Sequence, residues 1–238
     1  MLKVDKIDIY GWEAAIRGMR NPMNSWDRMD SKFSYVVDES GKATTVATLG
    51  KNDLKLMKSL CKGGPVHSKF MRMITVTMDI TAPLYWWKEY DTYKVGTVEN
   101  SCSTMHKIHA KEFETSDFSH EHLIGAALPT CYSEADNYDH GLSPKEILVN
   151  TIIALNRSRD LYLAAKEAKD EARAKMFWWQ MIQLLPSSYN QKRTVQLNYE
   201  VTKNIYFSRK NHKLDEWHTL CDVIKALPYA KELIIGED

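Results

Sequence analysis

Cys102 of this 238-residue chain is a candidate nucleophile, in the segment T-Y-K-V-G-T-V-E-N-S-C-S-T over residues 92–104. A thiol becomes a nucleophile as its thiolate, and a nearby cation lowers its pKa; Lys94, His106 and Arg209 are the candidate cations. The plainer reading makes Cys102 a small, weakly polar filler. A second polar group follows the Leu185-Pro186 break: Asn198, Asn204, Arg209, His212 and Glu216. Asn198 and Asn204, six apart, share a broad helix face and equally suit a ligand or a tie between helices. Arg209 alone reads as a surface ion-pair residue. His106, His109, His120, His122 and His140 offer H-x-x-H and H-x-H pairs, but no carboxylate or thiolate stands at a recognisable ligand spacing, so no metal site is expected. Walker, G-x-G-x-x-G and G-x-S-x-G motifs are missing from the sequence.

These groups must be positioned by regular elements. Residues 3–10 alternate as a strand, and residues 14–19 open a short helix. Asn21-Pro22 and Asn24-Ser25 read as turns, and Ser40-Gly41-Lys42 as a hairpin-like loop. Asn52-Asp53 would cap a helix that ends at Gly63-Gly64-Pro65. Residues 71–81 form the clearest strand, with Ile74, Val76, Met78 and Ile80 on one face and Ala82-Pro83 as its stop. Residues 84–93 read as an aromatic helix broken by Gly96. Residues 110–143 are polar and read as a long excursion or lid. Ser143-Pro144-Lys145-Glu146 starts a long helix, with a serine cap, proline at the first position and an acid in the first turn. Helices are expected at 174–185, 198–208 and 214–227. Without repeat, low-complexity tract or linker, residues 1–238 read as one α+β domain.

The composition is that of a globular protein, 44% hydrophobic and 26% charged. A net charge of +1 gives no global field toward nucleic acid or anionic membrane. No apolar run approaches the roughly 20 residues of a membrane span, and the start of the chain lacks a signal-peptide core, so a cytoplasmic location is expected. The four cysteines, Cys61, Cys102, Cys131 and Cys221, form no C-x-x-C pair. Trp86-Trp87 and Trp178-Trp179 read as core or interface.

Several motifs together make the chain resemble the flavin-dependent thymidylate synthases (ThyX). Ala15-Ile16-Arg17-Gly18-Met19-Arg20 resembles the family's A-x-R-x-x-R segment, His67 stands at its G-H-x-[ST] turn, and Ala82-Pro83 closes the strand as in the family. From that anchor the R-H-R-x7-S-x-R motif aligns without a gap, with Thr92-Tyr93-Lys94 in place of Arg-His-Arg, Cys102 in place of serine and Thr104 in place of the last arginine. Beyond Leu185-Pro186, Asn198, Asn204 and Arg209 keep the family's spacing, as does H-x-x-x-E at His212 and Glu216. The loop after Arg209 is one residue shorter than in the family, and Glu200 replaces a common arginine.

The resemblance implies a mixed sheet flanked by helices, a homotetramer, and FAD-mediated reductive methylation of dUMP with NADPH and methylenetetrahydrofolate as co-substrates. It places His67, Asn198, Asn204 and His212 along FAD, with Tyr93 and Lys94 on its phosphates. Glu89, Cys102 and Arg209 would face the pyrimidine nucleotide, with Arg209 and Cys102 as catalytic groups. Two phosphate-binding arginines of the family are Thr104 and Ile182 here. Hydrogen bonds to charged groups contribute about 1.5–3 kcal/mol each. Lys192, Arg193 or Lys210 would therefore have to substitute, or the acceptor differs from dUMP. The alternative is a ThyX-fold protein that binds or scaffolds without turnover.

Overall fold

The computed structural model describes residues 2–37, 39, 41, 43–126 and 142–236. They fall into two compact units, one built from the described residues among 82–87, 102–126 and 142–191, the other from those among 2–81, 88–101 and 192–236.

The second unit carries a four-stranded sheet of order β1-β4-β6-β5, with β1 Lys3–Tyr10, β4 Thr75–Pro83, β5 Val98–Ser101 and β6 Asn190–Asn198. Strand β4 follows the alternation of its sequence: Ile74, Val76, Met78 and Ile80 are buried, and Thr75, Thr77, Asp79 and Thr81 are half-buried. The strand runs on through Pro83, beyond the stop expected at Ala82-Pro83. β1 pairs antiparallel with β4, Val4 opposite Ile80 and Ile9 opposite Val76, and its register shifts between Asp5 and Asp8, where Lys6 adopts φ 50°. The core of this unit collects Trp12, Ala15 and Ile16 of α1 (Trp12–Arg20), Met57 of α2 (Lys51–Lys62), Ile205 of α7 (Tyr199–Arg209) and Trp217, Leu220 and Ile224 of α8 (Asp215–Lys225). β2 (Lys32–Val37) and β3 (Ala43–Thr48) pair as an antiparallel hairpin. Ser40 and Lys42 of its expected turn lie outside the described residues.

The cap of α2 differs from the expectation. Gly50 is the N-cap residue, and Asp30 satisfies the helix start from a distance, accepting from the Asn52 and Asp53 amides at 2.9 and 3.0 Å. Asp53 faces inward instead. Its carboxylate meets the Arg20 guanidinium at 2.6 Å, with both side chains 4% exposed or less, and accepts from Ser31 N and Oγ at 2.8 and 2.7 Å. The charges are buried as a hydrogen-bonded pair, the form in which a buried charge is tolerated.

The first unit holds α3 residues 84–87 (α3 is Leu84–Tyr90), α4 (Thr104–Lys107), α5 (Pro144–Glu167) and α6 (Glu171–Leu184). Ser143 starts α5 as its sequence implies: its Oγ accepts from Glu146 N at 3.2 Å and Glu146 Oε2 accepts from Ser143 N at 2.7 Å, a reciprocal capping box. Leu148, Ile152 and Leu155 of α5 pack with Met181 of α6 and with Ile108, Phe113 and Phe118. Of the expected excursion at 110–143, residues 115–117 form a short 3-10 turn, and residues 127–141, with Cys131 and His140, lie outside the described residues.

Candidate functional site

The polar residues of the C-terminal segment meet Glu89 and Tyr93 within the second unit. Glu89 lies near the end of α3, Tyr93 in the turn after it, Arg209 at the last residue of α7, His212 in the next loop and Trp217 in the first turns of α8. Glu89 Oε2 is the hub: Arg209 Nη1 lies 2.7 Å away, Trp217 Nε1 donates to it at 3.0 Å and His212 Nε2 stands at 3.2 Å. Arg209 Nε donates to the Tyr93 hydroxyl at 2.8 Å. The guanidinium carbon lies 4.5 Å from the Trp217 ring centroid and 5.5 Å from that of Tyr93, so two aromatic faces add cation–π attraction. Trp217 is buried and stacks on Tyr90 at an interplanar angle of 16°. Burial, reinforced by the Glu99 carboxylate, pushes the Tyr90 phenol far above its ordinary value, so it stays neutral.

Three donors therefore fix one carboxylate oxygen, while Glu89 Oε1 and Arg209 Nη2 have no partner among the described residues. An acceptor and a donor left over from one ion pair are the two kinds of group that the polar edge of a pyrimidine presents in complement.

The asparagines have separate placements. Asn198 is the N-cap of α7, its Oδ1 accepting from Val201 N at 3.0 Å, so it opens the helix that was expected to include it. A Cβ on Gly96, whose φ of +77° is left-handed, would stand 3.0 Å from Asn198 Nδ2, so the 91–97 turn approaches that amide closely. Asn204 is exposed and its Oδ1 accepts from Ser208 at 3.3 Å. Lys94 is exposed and has no ion partner among the described residues.

His67 lines a cleft of about 1290 Å³ in the same unit. That volume exceeds the roughly 300–1,000 Å³ of ordinary small-molecule pockets. Gly63 leaves room for the imidazole, since a Cβ there would lie 3.1 Å from His67 Cδ2. Cys102 belongs to the first unit, where it is exposed and its carbonyl accepts from Gln191 Nε2 at 3.0 Å.

The candidate replacement cations are already engaged. Lys192 pairs with Asp79 at 2.8 Å, and Arg193 with Asp91 and Glu99, both at 2.7 Å. Lys192 also helps hold the Asp79 carboxyl below its ordinary value. Lys210 is exposed and leans over the Phe207 ring at 5.0 Å. Sequence reasoning did not single out Trp217; its place next to Glu216 in the C-terminal segment was the available signal.

The fold defines the class, a mixed α+β protein with sheets flanked by helices. The solved structures to which the chain is similar agree. ThyX from Helicobacter pylori with FAD and dUMP superposes with a TM-score of 0.59 at 16% identity, covering 98% of this chain and 97% of that one. A second complex of that enzyme with FAD and dUMP gives 0.57 at 15% identity, over 97% and 98%. A UMP/dUMP methylase, PolB from Streptomyces cacaoi bound with 5-Br UMP, gives 0.52 at 11% identity, over 99% and 93%. Neither a protein-family model nor a curated protein matches the sequence. At such identities the likeness establishes the fold.

Proposed function

We propose that the chain is a divergent ThyX-like flavoprotein performing FAD-mediated reductive one-carbon transfer to a pyrimidine nucleotide, dUMP or a variant of it. The carrying observation is the convergence of Glu89, Tyr93, Arg209 and His212, residues 120 apart in sequence, on one carboxylate oxygen and one guanidinium. The similar structures bind FAD with dUMP, or 5-Br UMP.

Three separate observations support the cofactor: the cleft beside His67 has the volume for it, although Lys94 and Asn198 do not line it, and Lys94 has no ion partner and Asn198 Nδ2 no hydrogen-bond partner among the described residues. On this reading His67, Asn198, Asn204 and His212 hold FAD, with Tyr93 and Lys94 at its phosphates. FAD supplies hydride chemistry when reduced by NADPH, and methylenetetrahydrofolate supplies the carbon. Arg209, held in place by Tyr93, Glu89 and Trp217, keeps Nη2 for a ring oxygen, and a preset cation there stabilises charge developing on the ring. Glu89 Oε1 accepts a ring N–H. Assembly is as a homotetramer in the cytoplasm.

Engagement of Lys192 and Arg193 by carboxylates leaves no fork like an arginine–phosphate pair at those positions, so on this reading the acceptor's phosphate is held elsewhere. The test is NADPH oxidation by the FAD-loaded protein with dUMP, UMP and deoxycytidylate in parallel. Nucleotide-dependent oxidation lost in Arg209→Ala supports the reading. The internal pairing of Arg209 with Glu89 is the observation favouring a second reading, a binding or scaffold protein. FAD binding without oxidation under any nucleotide would select it.

A further inference from the structure

Helix α2 reads K-N-D-L-K-L-M-K-S-L-C-K, with four lysines and a single acid. At 3.6 residues per turn, Lys51, Lys55, Lys58 and Lys62 fall within an arc of about 60° and run about 17 Å along the helix. All four line one shallow hollow with Leu54 and Ser59. The acid, Asp53, points inward, where Arg20 and Ser31 occupy its carboxylate. Side chains three and four apart on a helix are neighbours, so these lysines repel one another at each step. Other helices answer their lysines with acids: Lys166 pairs with Glu171 and Lys225 with Asp222. α2 offers no exposed carboxylate of its own.

The cationic surface continues past the helix. Lys55 also lines the cleft beside His67, where Arg28 and Lys69 are exposed and Asp27 is the acid on the lining. Arg20 stays inside the wall that residues 18–28 make there, held by Asp53, Ser25 and the Arg28 carbonyl. The whole chain carries a net charge of +1, so this excess of cations is local. A local patch of one sign attracts a polyanion even where the net charge does not.

The make-up of the stripe selects among polyanions. Leu54, Leu56 and Leu60 of α2 are half-buried and Met57 is buried, so the helix exposes no large apolar side chain. A helix that lies on a membrane inserts an apolar face beside its cations, and α2 lacks that face. Single-stranded nucleic acid is held by bases stacked on aromatic rings, and α2 contains no aromatic residue. A duplex asks only for cations along its backbone, and about 17 Å spans about five base steps of one strand. We infer that the α2 lysines bind the phosphate backbone of duplex DNA without regard to sequence. This goes beyond the flavin reading and uses none of its residues.

The test is fluorescence anisotropy of two dye-labelled DNA duplexes of unrelated sequence, titrated with the full chain at several salt concentrations. Wild type is compared with Lys51→Gln/Lys55→Gln and Lys51→Arg/Lys55→Arg, with circular dichroism confirming the fold. Both duplexes should bind alike, with a Kd in the range of about 1–100 µM at about 0.15 M salt. The logarithm of affinity should fall linearly with that of salt, by about 0.9 for each phosphate neutralised. The glutamine variant should bind about tenfold more weakly, with a slope shallower by about 1.8 for its two lost contacts. The arginine variant should match wild type, because it keeps both charges. Absence of binding up to about 100 µM overturns the inference, as does an affinity or a slope unchanged in the glutamine variant. Phosphatidylglycerol vesicles, a single strand of the same sequence and polyglutamate are run in parallel. Lysine-dependent binding of any of these as tight as that of the duplex overturns the assignment to DNA.

Discussion

Arg209 Nη1 lies 2.7 Å from Glu89 Oε2, joining the end of α7 to the end of α3 across 120 residues of sequence. Trp217 and His212 reach the same oxygen. The pair is half-shielded, with side chains 17% and 36% exposed, so each partner depends on the other for compensation.

Removing Glu89 leaves the guanidinium and the indole N–H without their acceptor. Glu89→Ala is expected to lower unfolding stability by about 1–3 kcal/mol, the cost of stranding donors to a charged group, discounted for partial exposure. Urea denaturation measures it. Glu89→Gln keeps an acceptor and should cost less.

Asn198 combines a cap with a proposed flavin contact, and the two roles separate by substitution. Asn198→Ala removes the acceptor for Val201 N and should cost about 1 kcal/mol. Asn198→Asp restores the cap but not Nδ2, so stability should recover while FAD affinity stays low. Ser143→Ala, at the start of α5, is expected to cost a similar amount.

The Arg20–Asp53 pair is buried on both sides and holds one wall of the cleft. Asp53→Ala strands a buried cation and should destabilise by about 3–5 kcal/mol, visible as a drop in the urea midpoint.

Asp30 gives an acid dependence of known sign. The hydrogen bond from the Asn52 amide, the largest influence, together with those involving Asp53, holds its carboxyl below the ordinary 3.8 in spite of opposing desolvation. A carboxylate with a depressed folded pKa contributes stability above its unfolded value, and that contribution is lost as pH falls through the folded one. Stability should therefore decline below about pH 4, and Asp30→Asn should flatten that part of the profile. Thermal unfolding in steps from pH 6 to pH 2.5 checks it; an unchanged profile in Asp30→Asn would remove Asp30 as the source.

Local signals were legible where one residue's neighbours decide its structure. Ser143-Pro144 and Glu146 marked the start of α5, and the Ile74–Ile80 alternation marked β4, because a cap and a pleat act over a few residues. β6 was not legible: only Val195 and Leu197 along it are buried, and Gln191 to Thr194 are polar residues without an apolar alternation. β2, K-F-S-Y-V-V, is almost wholly exposed and shows no two-fold alternation to reveal it. The site divides in the same way. Spacing singled out Asn198, Arg209 and His212, but pairing of Arg209 with Glu89 and of Arg193 with Asp91 is tertiary, and no local pattern encodes it.

The most direct test of the flavoprotein account is titration of the purified chain with FAD, followed by flavin fluorescence and the visible spectrum. The account predicts saturable binding of FAD at one equivalent per chain, weakened in Asn198→Asp. Absence of saturable binding by a protein whose circular dichroism shows it folded would contradict it and leave the ThyX likeness as one of fold.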